Sequence, residues 1–289
     1  MNVFPDHSMY YLGNYLPGAQ INPDSINVIV GWSTRDTTVD YNPNQYIIYP
    51  GNGLNGCPNC LYASSSVPNS SLPTVGTNGS MARFSIIGNY LYTVGTSMLS
   101  AFDISHPYLP AFSSSVTVDW HVETIYPLKD KLFVGTNNGM YMYDVNTTPG
   151  TPALIGQFTH VRGCDPVIAD DHYAYVTIND SSACLGINNE LQIVDISDLS
   201  NSFLAKAYPL SHPIGLSKDG NKLFVCDRKA GLIMYDATDV LNLSIIKLLN
   251  DGAFYDVVAE NGLAIVVAAD GLYQYDYSNL NNIHLVSKL

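Results

Sequence analysis

The chain has 289 residues, of which 46% are hydrophobic and only 13% are charged, and its formal net charge is −13. This acidity excludes nucleic acids and anionic membrane surfaces as partners, because a polyanion is bound by a basic surface. No segment approaches the roughly 20 consecutive apolar residues that a transmembrane helix needs. The composition therefore favours an all-β protein whose charge serves solubility.

Residues 1–80 differ in composition from the rest of the chain. They contain eight of the 16 prolines, no lysine and a single arginine, Arg35, and they start without the basic-then-apolar pattern of a signal peptide. Asn27–Trp32 has the pattern of the closing strand of a blade, and within residues 33–80 only Gln45–Tyr49 has a strand pattern. We predict a remnant outer strand followed by a long Pro/Asn/Ser/Gly-rich loop, which is either disordered, packed over a blade edge, or functional.

Residues 81–289 contain a repeat of about forty residues. A motif of two mostly apolar or aromatic residues, Asp, a variable residue and a small polar residue occurs five times, with its aspartates 41, 51, 41 and 40 residues apart. These aspartates are Asp103, Asp144, Asp195, Asp236 and Asp276. A short apolar or aromatic triplet precedes each copy: Tyr90–Tyr92, Lys131–Phe133, Tyr173–Tyr175, Lys222–Phe224 and Gly262–Ala264. Two landmarks with nearly the same spacing indicate tandem structural units.

Each unit has the chemistry of short antiparallel strands. β-Branched and aromatic runs are separated by turn signals such as Asp219-Gly220-Asn221 and Asn137-Asn138-Gly139, which favour tight hairpins. Four short strands every forty residues predict a β-propeller with five recognisable four-stranded blades over residues 81–289, and no helical period supports an α/β solenoid. The motif Asp is expected at the end of each third strand, where its carboxylate accepts backbone N–H groups of the following turn.

The repeats resemble those of the LVIVD-repeat proteins, which are predicted propellers found in bacteria of the Bacteroidetes type. Leu191–Ser197 is similar to the name-giving motif and Phe102–Pro107 to its usual variant, while Met81–Phe84, Cys164–Val167 and Gly271–Ser278 also fit the family. The resemblance implies an amino-terminally shortened member of a seven-bladed toroid. Because family members often follow a secretion or lipoprotein signal, it also implies an extracellular or cell-surface location.

The five cysteines form three groups. Cys57 and Cys60 form a CxxC without a second pair to complete a zinc site, which leaves a local disulfide, free thiols, or a metal or redox role open. Cys164 and Cys184 are disulfide candidates, because a bridge between them would hold a ten-residue insertion lying between Ile178 and Glu190. Cys226 follows Val225 on a predicted second strand, so it is expected to be a buried apolar residue.

No catalytic, phosphate-binding or dinucleotide motif is present, so the sequence predicts neither catalytic residues nor a cofactor. In a propeller the first strands surround a central channel, and alignment of these strands places five polar residues at one channel mouth. These candidate ligand-binding residues are Arg83, Glu123, Asp165, His212 and Asp256. One cation, three carboxylates and an imidazole could bind a metal, a cationic ligand or a sugar, or form a self-neutralising network.

The function that these features favour is a non-catalytic extracellular or cell-surface interaction module, which binds a protein or glycan through the propeller loops and the channel mouth. The alternative is a propeller hydrolase or lyase that uses the mouth carboxylates and His212. A third interpretation is a scaffold without a ligand, whose repeats only position neighbouring domains.

Overall fold

A computed structural model of the chain describes residues 25–29, 36–40, 79–160, 166–180 and 188–289. Contacts divide the chain into two units, Met1–Ser70 and Ser71–Leu289. In the first unit, β1 (Ser25–Ile29) pairs antiparallel with β2 (Asp36–Asp40). The strand pattern of β2 was missed because Asp-Thr-Thr-Val-Asp contains only one large apolar residue. Gln45–Tyr49 lies outside the described residues.

The second unit contains five four-stranded antiparallel sheets, and in each sheet the strands follow one another in chain order. Sheet 1 consists of β3 (Phe84–Ile87), β4 (Tyr90–Val94), β5 (Met98–Asp103) and β6 (Ala111–Thr117). Sheet 2 consists of β7 (Val122–Leu128), β8 (Lys131–Thr136), β9 (Gly139–Asp144) and β10 (Ala153–Thr159). Sheet 3 consists of β11 (Val167–Ala169), β12 (Tyr173–Ile178), β13 (Glu190–Asp195) and β14 (Phe203–Pro209). Sheet 4 consists of β15 (Pro213–Asp219), β16 (Lys222–Asp227), β17 (Gly231–Asp236) and β18 (Ser244–Leu249). Sheet 5 consists of β19 (Phe254–Glu260), β20 (Leu263–Ala268), β21 (Gly271–Asp276) and β22 (His284–Lys288).

This arrangement confirms the predicted all-β propeller architecture with five four-stranded blades. The insertion in the third repeat falls between β12 and β13, the second and third strands of sheet 3. Within the described residues the only helical element is the 3-10 turn Leu199–Asn201. No helix in that part of the chain is long and apolar enough to cross a membrane.

The motif aspartates end the third strands, as predicted, and their carboxylates organise the turn that follows. In four of the five sheets the Asp accepts the backbone N–H two residues later: Ser105 to Asp103 (2.7 Å), Ser197 to Asp195 (2.9 Å), Thr238 to Asp236 (2.9 Å) and Ser278 to Asp276 (2.8 Å). Asp144 accepts a longer bond from the N–H of Thr147, at 3.5 Å. The side-chain hydroxyl and the N–H of Thr238 lower the pKa of Asp236. These repeated aspartates are therefore structural.

The hydrophobic core lies between neighbouring sheets. One cluster joins Tyr92 and Leu99 of sheet 1 to Ile125 and Leu132 of sheet 2, and another joins sheets 4 and 5. Cys226 belongs to the second of these clusters and is a buried free thiol, which confirms its predicted apolar role. Burial raises its pKa well above the ordinary value, so this thiol stays protonated and unreactive.

Tyrosine hydroxyl groups explain part of the chain's unusual tyrosine content. Five of them donate hydrogen bonds to aspartates: Tyr141 to Asp119 (2.6 Å), Tyr175 to Asp170 (2.6 Å), Tyr273 to Asp270 (3.1 Å), Tyr275 to Asp251 (2.7 Å) and Tyr277 to Asp219 (2.7 Å). Burial together with the bond to Asp119 raises the pKa of Tyr141 to about 12. Large aromatic rings thus fill the core while each hydroxyl keeps a charged acceptor.

Candidate functional site

One cavity of about 590 Å³ receives side chains from all five sheets of the second unit. The starts of the first strands contribute one group of lining residues: Met81, Arg83, His121, Val122, Glu123, Thr124, Pro166, His212, Ile214 and Tyr255. A second group consists of the residues six positions after the start of the second strands of sheets 1, 3 and 4, namely Thr96, Asn179 and Arg228. Both groups lie at the same end of their sheets, because adjacent strands are antiparallel. We call this space the axial cavity.

The predicted mouth residues occupy three different positions in the strand register. Counted back from the last residue of the first strand, Arg83 and Asp256 are four residues away, Glu123 is five and His212 is seven. Register shifts occur in β7 between Val122 and Thr124, in β15 between Pro213 and Leu216, and in β19 between Phe254 and Asp256. Such bulges redirect side chains, so equal spacing in the sequence does not bring equivalent residues to the cavity.

Three of the five predicted residues line the axial cavity: Arg83, Glu123 and His212. In β19 the lining residue is Tyr255, and its neighbour Asp256 is not among the lining residues. Asp165 lies outside the described residues, while Pro166, which follows it, lines the cavity.

Asp256 instead takes part in hydrogen bonds that connect three segments of the chain. The buried Ser80 hydroxyl donates to Asp256 Oδ1 (3.0 Å) and accepts the N–H of Leu216 (2.8 Å), which joins the start of sheet 1 to sheets 4 and 5. Gly215 fits this place because a Cβ there would lie 2.6 Å from Asp256 Cα. Burial raises the pKa of Asp256 to about 6. Its environment is that of a structural carboxyl group.

Asp227 positions two of the lining residues. This fully buried carboxylate, at the end of β16, accepts four backbone N–H groups: those of Ser211 (2.8 Å), His212 (2.9 Å), Lys229 (2.9 Å) and Ala230 (3.0 Å). Burial opposes its ionisation, but the four donors outweigh burial and hold the pKa of Asp227 below its ordinary value. Because these donors flank the cavity residues His212 and Arg228, Asp227 holds both in place. The sequence offered one signal for this role, since β16 is the only one of the five second strands that ends with an Asp.

His212 has a defined orientation at the cavity. Its Nδ1 lies 3.0 Å from Asp180 Oδ1, and its backbone carbonyl accepts the N–H of Arg228 (3.0 Å). The Asn189 side chain and His212 together lower the pKa of Asp180. The carboxylate of Asp180 therefore orients the imidazole, and the Nε2 atom is left as the second polar group of the ring.

The described lining residues include two guanidinium groups and one carboxylate, Glu123. Arg83 is held by a bond from Nη2 to the carbonyl of Gly95 (3.0 Å), and the guanidinium of Arg228 lies 4.8 Å from the ring centre of Tyr255. The five residues predicted from the sequence were one cation, three carboxylates and one imidazole, and Arg228 was not among them. Arg228 was not predicted because it follows a second strand, whereas the predicted residues came from an alignment of first strands only.

Metal binding has no support within residues 79–160, 166–180 and 188–289, where no group of three His, Cys, Asp or Glu side chains is placed to hold an ion. The candidate disulfide residues Cys57, Cys60, Cys164 and Cys184 all lie outside the described residues. Their pairing stays a prediction.

Comparisons with known proteins agree with the fold. The LVIVD repeat family model matches residues 78–118 and 165–209. No curated protein sequence is significantly similar to the chain.

Solved structures with a similar fold include a functionally unknown protein from Desulfotomaculum acetoxidans (TM-score 0.57, 10% identity, 76% of this chain and 70% of that one). A putative 6-phosphogluconolactonase from Bacteroides fragilis (0.57, 11%, 71% and 69%) and the periplasmic gluconolactonase of Pseudomonas aeruginosa (0.53, 13%, 70% and 67%) are also similar. At these identities the likeness shows the fold alone. The repeats, the five sheets and the matches together show that the chain contains LVIVD repeats and has a β-propeller fold.

Proposed function

We propose that this propeller is a non-catalytic interaction module that binds a protein or glycan group in the axial cavity. The observation that carries the proposal is the convergence of side chains from all five sheets on one cavity of about 590 Å³. Ligand sites of this kind typically measure about 300–1,000 Å³ and combine an apolar wall with a few polar groups. Here Met81, Ile214 and Tyr255 supply apolar surface, while Thr96 and Asn179 supply polar groups.

The residues at equivalent positions around the cavity differ from sheet to sheet, and this difference supports a role in ligand binding. The repeated motif aspartates accept the same backbone hydrogen bond in four of the five sheets, as expected for structural positions. By contrast, the equivalent cavity positions after the second strands hold Thr96, Asn179 and Arg228, which differ in size and charge. Differences among positions that the fold makes equivalent are what selectivity for a ligand requires.

An extracellular or cell-surface location is part of the proposal. The low content of charged residues and the LVIVD repeats support it. One of the proteins with a similar fold is described as periplasmic.

A glycan array probed with the wild type and two tyrosine variants tests the proposal. Tyr255→Ala removes an aromatic wall of the cavity, and we expect it to abolish the wild-type array signals. Tyr108→Ala is the matched control, because Tyr108 is exposed in the link between β5 and β6, at the opposite end of the sheets. Retention of binding by Tyr255→Ala, or its loss in Tyr108→Ala, would place the ligand elsewhere.

A propeller hydrolase is the second candidate, favoured by the pairing of His212 with Asp180 at the cavity. An imidazole oriented by a carboxylate is the arrangement of a general base. Because two proteins of similar fold are described as lactonases, glucono-1,5-lactone is the first substrate to test. Turnover above the spontaneous rate that is lost in His212→Gln would establish this candidate. Wild-type turnover equal to the His212→Gln rate would reject it.

A further inference from the structure

The distribution of cations distinguishes the axial cavity from the rest of this acidic chain. The net charge is −13 and the sequence contains only four arginines, yet two of them line the cavity. The described lining residues contain a single carboxylate, that of Glu123. Guanidinium groups only donate hydrogen bonds, so a ligand that faces them must supply acceptors.

Arg228 has the geometry of an oxyanion receptor. Its guanidinium lies over the Tyr255 ring, 4.8 Å from the ring centre, in a cation–π contact. A contact with an aromatic ring supplies no oxygen acceptor, so the N–H donors of the guanidinium still need acceptors. Within the described ranges, no side chain or carbonyl accepts a hydrogen bond from this guanidinium, and Arg228 is exposed. A planar fork of this kind matches the two oxygens of a carboxylate.

The nearest acidic residue in the sequence does not occupy this fork. Asp227 precedes Arg228, but its carboxylate is buried and accepts four backbone N–H groups. Two of these donors, Lys229 and Ala230, lie in the loop that carries Arg228, so the same bonds hold the loop in place. The guanidinium is therefore positioned before a ligand binds, which lowers the conformational cost of binding.

Arg83 adds a second fixed positive charge. Its Nη2 atom donates to the carbonyl of Gly95 (3.0 Å), in the loop after β4, which keeps this side chain at the cavity. Thr96 and Asn179 bring hydroxyl and amide groups to the same lining. Charged donors beside neutral polar groups suit a ligand that combines an anionic group with hydroxyl groups.

We propose that the axial cavity selects an acidic saccharide, whose carboxylate binds the N–H fork of Arg228 while its hydroxyl groups face the polar lining. This inference rests on the proposed binding function and names its ligand class. It replaces the cationic ligand that the sequence suggested, because the described lining contains more guanidinium groups than carboxylates.

Calorimetric titration with three probes tests this inference. D-Glucuronate and D-glucose differ mainly by the carboxylate at C6, and inorganic phosphate tests an oxyanion without a sugar. We expect the wild type to bind glucuronate at least about tenfold more tightly than glucose or phosphate, the gain expected from one charge-assisted bidentate contact. Equal binding of glucuronate and glucose, or binding of phosphate alone, would overturn the inference.

Three variants assign the effect to the fork of Arg228. Arg228→Gln should weaken glucuronate binding about tenfold and leave glucose binding unchanged, whereas Arg228→Lys keeps the charge but not the fork and should be intermediate. Lys229→Gln is the matched control, because it removes one positive charge from the same loop but its side chain does not line the cavity. An equal loss of affinity in Lys229→Gln, or an equal loss for both sugars in Arg228→Gln, would contradict a specific carboxylate contact.

The two proposals fail in different ways. If glucose and glucuronate bind equally and both depend on Tyr255, the cavity binds saccharides but the charge inference is wrong. If the wild type binds neither these sugars nor any glycan on the array, the glycan-binding function fails together with the inference.

Discussion

Sheets 2, 3 and 4 of the second unit, which we call the inner sheets, differ from sheets 1 and 5, the flanking sheets, in how much of their two faces is buried. In sheets 2, 3 and 4, the second strands β8, β12 and β16 are buried at five consecutive residues, hence on both faces. In sheet 5, β20 alternates, and Leu263, Ile265 and Val267 are 38%, 36% and 46% exposed. In sheet 1, Phe84 and Ile86 of β3 are also exposed.

The difference shows that burial is decided by neighbouring sheets and not by the strand itself. β20 reads Leu-Ala-Ile-Val-Val-Ala, which is as apolar as any inner strand. A continuous apolar run is the pattern of a strand covered on both faces. The composition of β20 therefore matches the inner sheets, while its exposure does not.

The largest expected effect on the free energy of unfolding comes from truncating a side chain to Ala at the same strand position in an inner and in a flanking sheet. Phe133 and Ile265 are each the third residue of a second strand, and they are 0% and 36% exposed. Phe133→Ala should lower the free energy of unfolding by about 3–5 kcal/mol, because it leaves a cavity between sheets. Ile265→Ala should cost about 1 kcal/mol, because its side chain is partly in water. Urea denaturation measures both, and equal losses would contradict the comparison.

The second prediction concerns pH and sheet 5. Because burial raises the pKa of Asp256 to about 6, the folded state binds this proton more tightly than the unfolded state does. Its effect on stability is therefore favourable at low pH and is lost as pH rises from about 4 to about 6. The difference in the free energy of unfolding between Asp256→Asn and the wild type should rise in favour of the variant by up to about 3 kcal/mol as pH increases from 4 to 7. Denaturation curves at both pH values measure this gain.

Asp276→Asn is the control for Asp256→Asn. Asp276 lies in the same sheet, but its pKa is lowered whereas that of Asp256 is raised. Bonds from Ser278 lower the pKa of Asp276, so its contribution to stability is lost as pH falls. The two variants should therefore change the pH profile in opposite directions. Parallel profiles would show that the burial of Asp256 has no energetic consequence.

The smallest expected effects come from removing tyrosine hydroxyl groups. Tyr175 in sheet 3 donates to the half-buried Asp170, whereas Tyr275 in sheet 5 donates to the exposed Asp251. Tyr175→Phe should cost about 2 kcal/mol and Tyr275→Phe about 1 kcal/mol, because a buried carboxylate that loses a donor is not fully resolvated. Thermal unfolding of the two variants measures the difference. A larger loss in Tyr275→Phe would contradict the greater burial of the inner sheets.

The candidate site was only partly predictable from the sequence. Alignment of first strands found Arg83, Glu123 and His212, because repeats place their first strands around one axis. It chose Asp256 where the structure has Tyr255, since the bulge in β19 changes which side chain faces the cavity. It missed Arg228 because the residues after the second strands reach the same cavity, a contact between segments far apart in the chain.

The sequence by itself determined the number of sheets in the repeat region, because each repeat contains its own strand and turn pattern. It also determined the place of each motif Asp, because the hydrogen bonds of that carboxylate span only two or three residues. Hairpin turns and strand patterns are similarly local. Only the tertiary structure decided which faces are covered and which cations meet at the axial cavity. Those properties depend on the packing of one sheet against the next and on bulges that shift a strand by one residue, and neither has a signal within a single repeat.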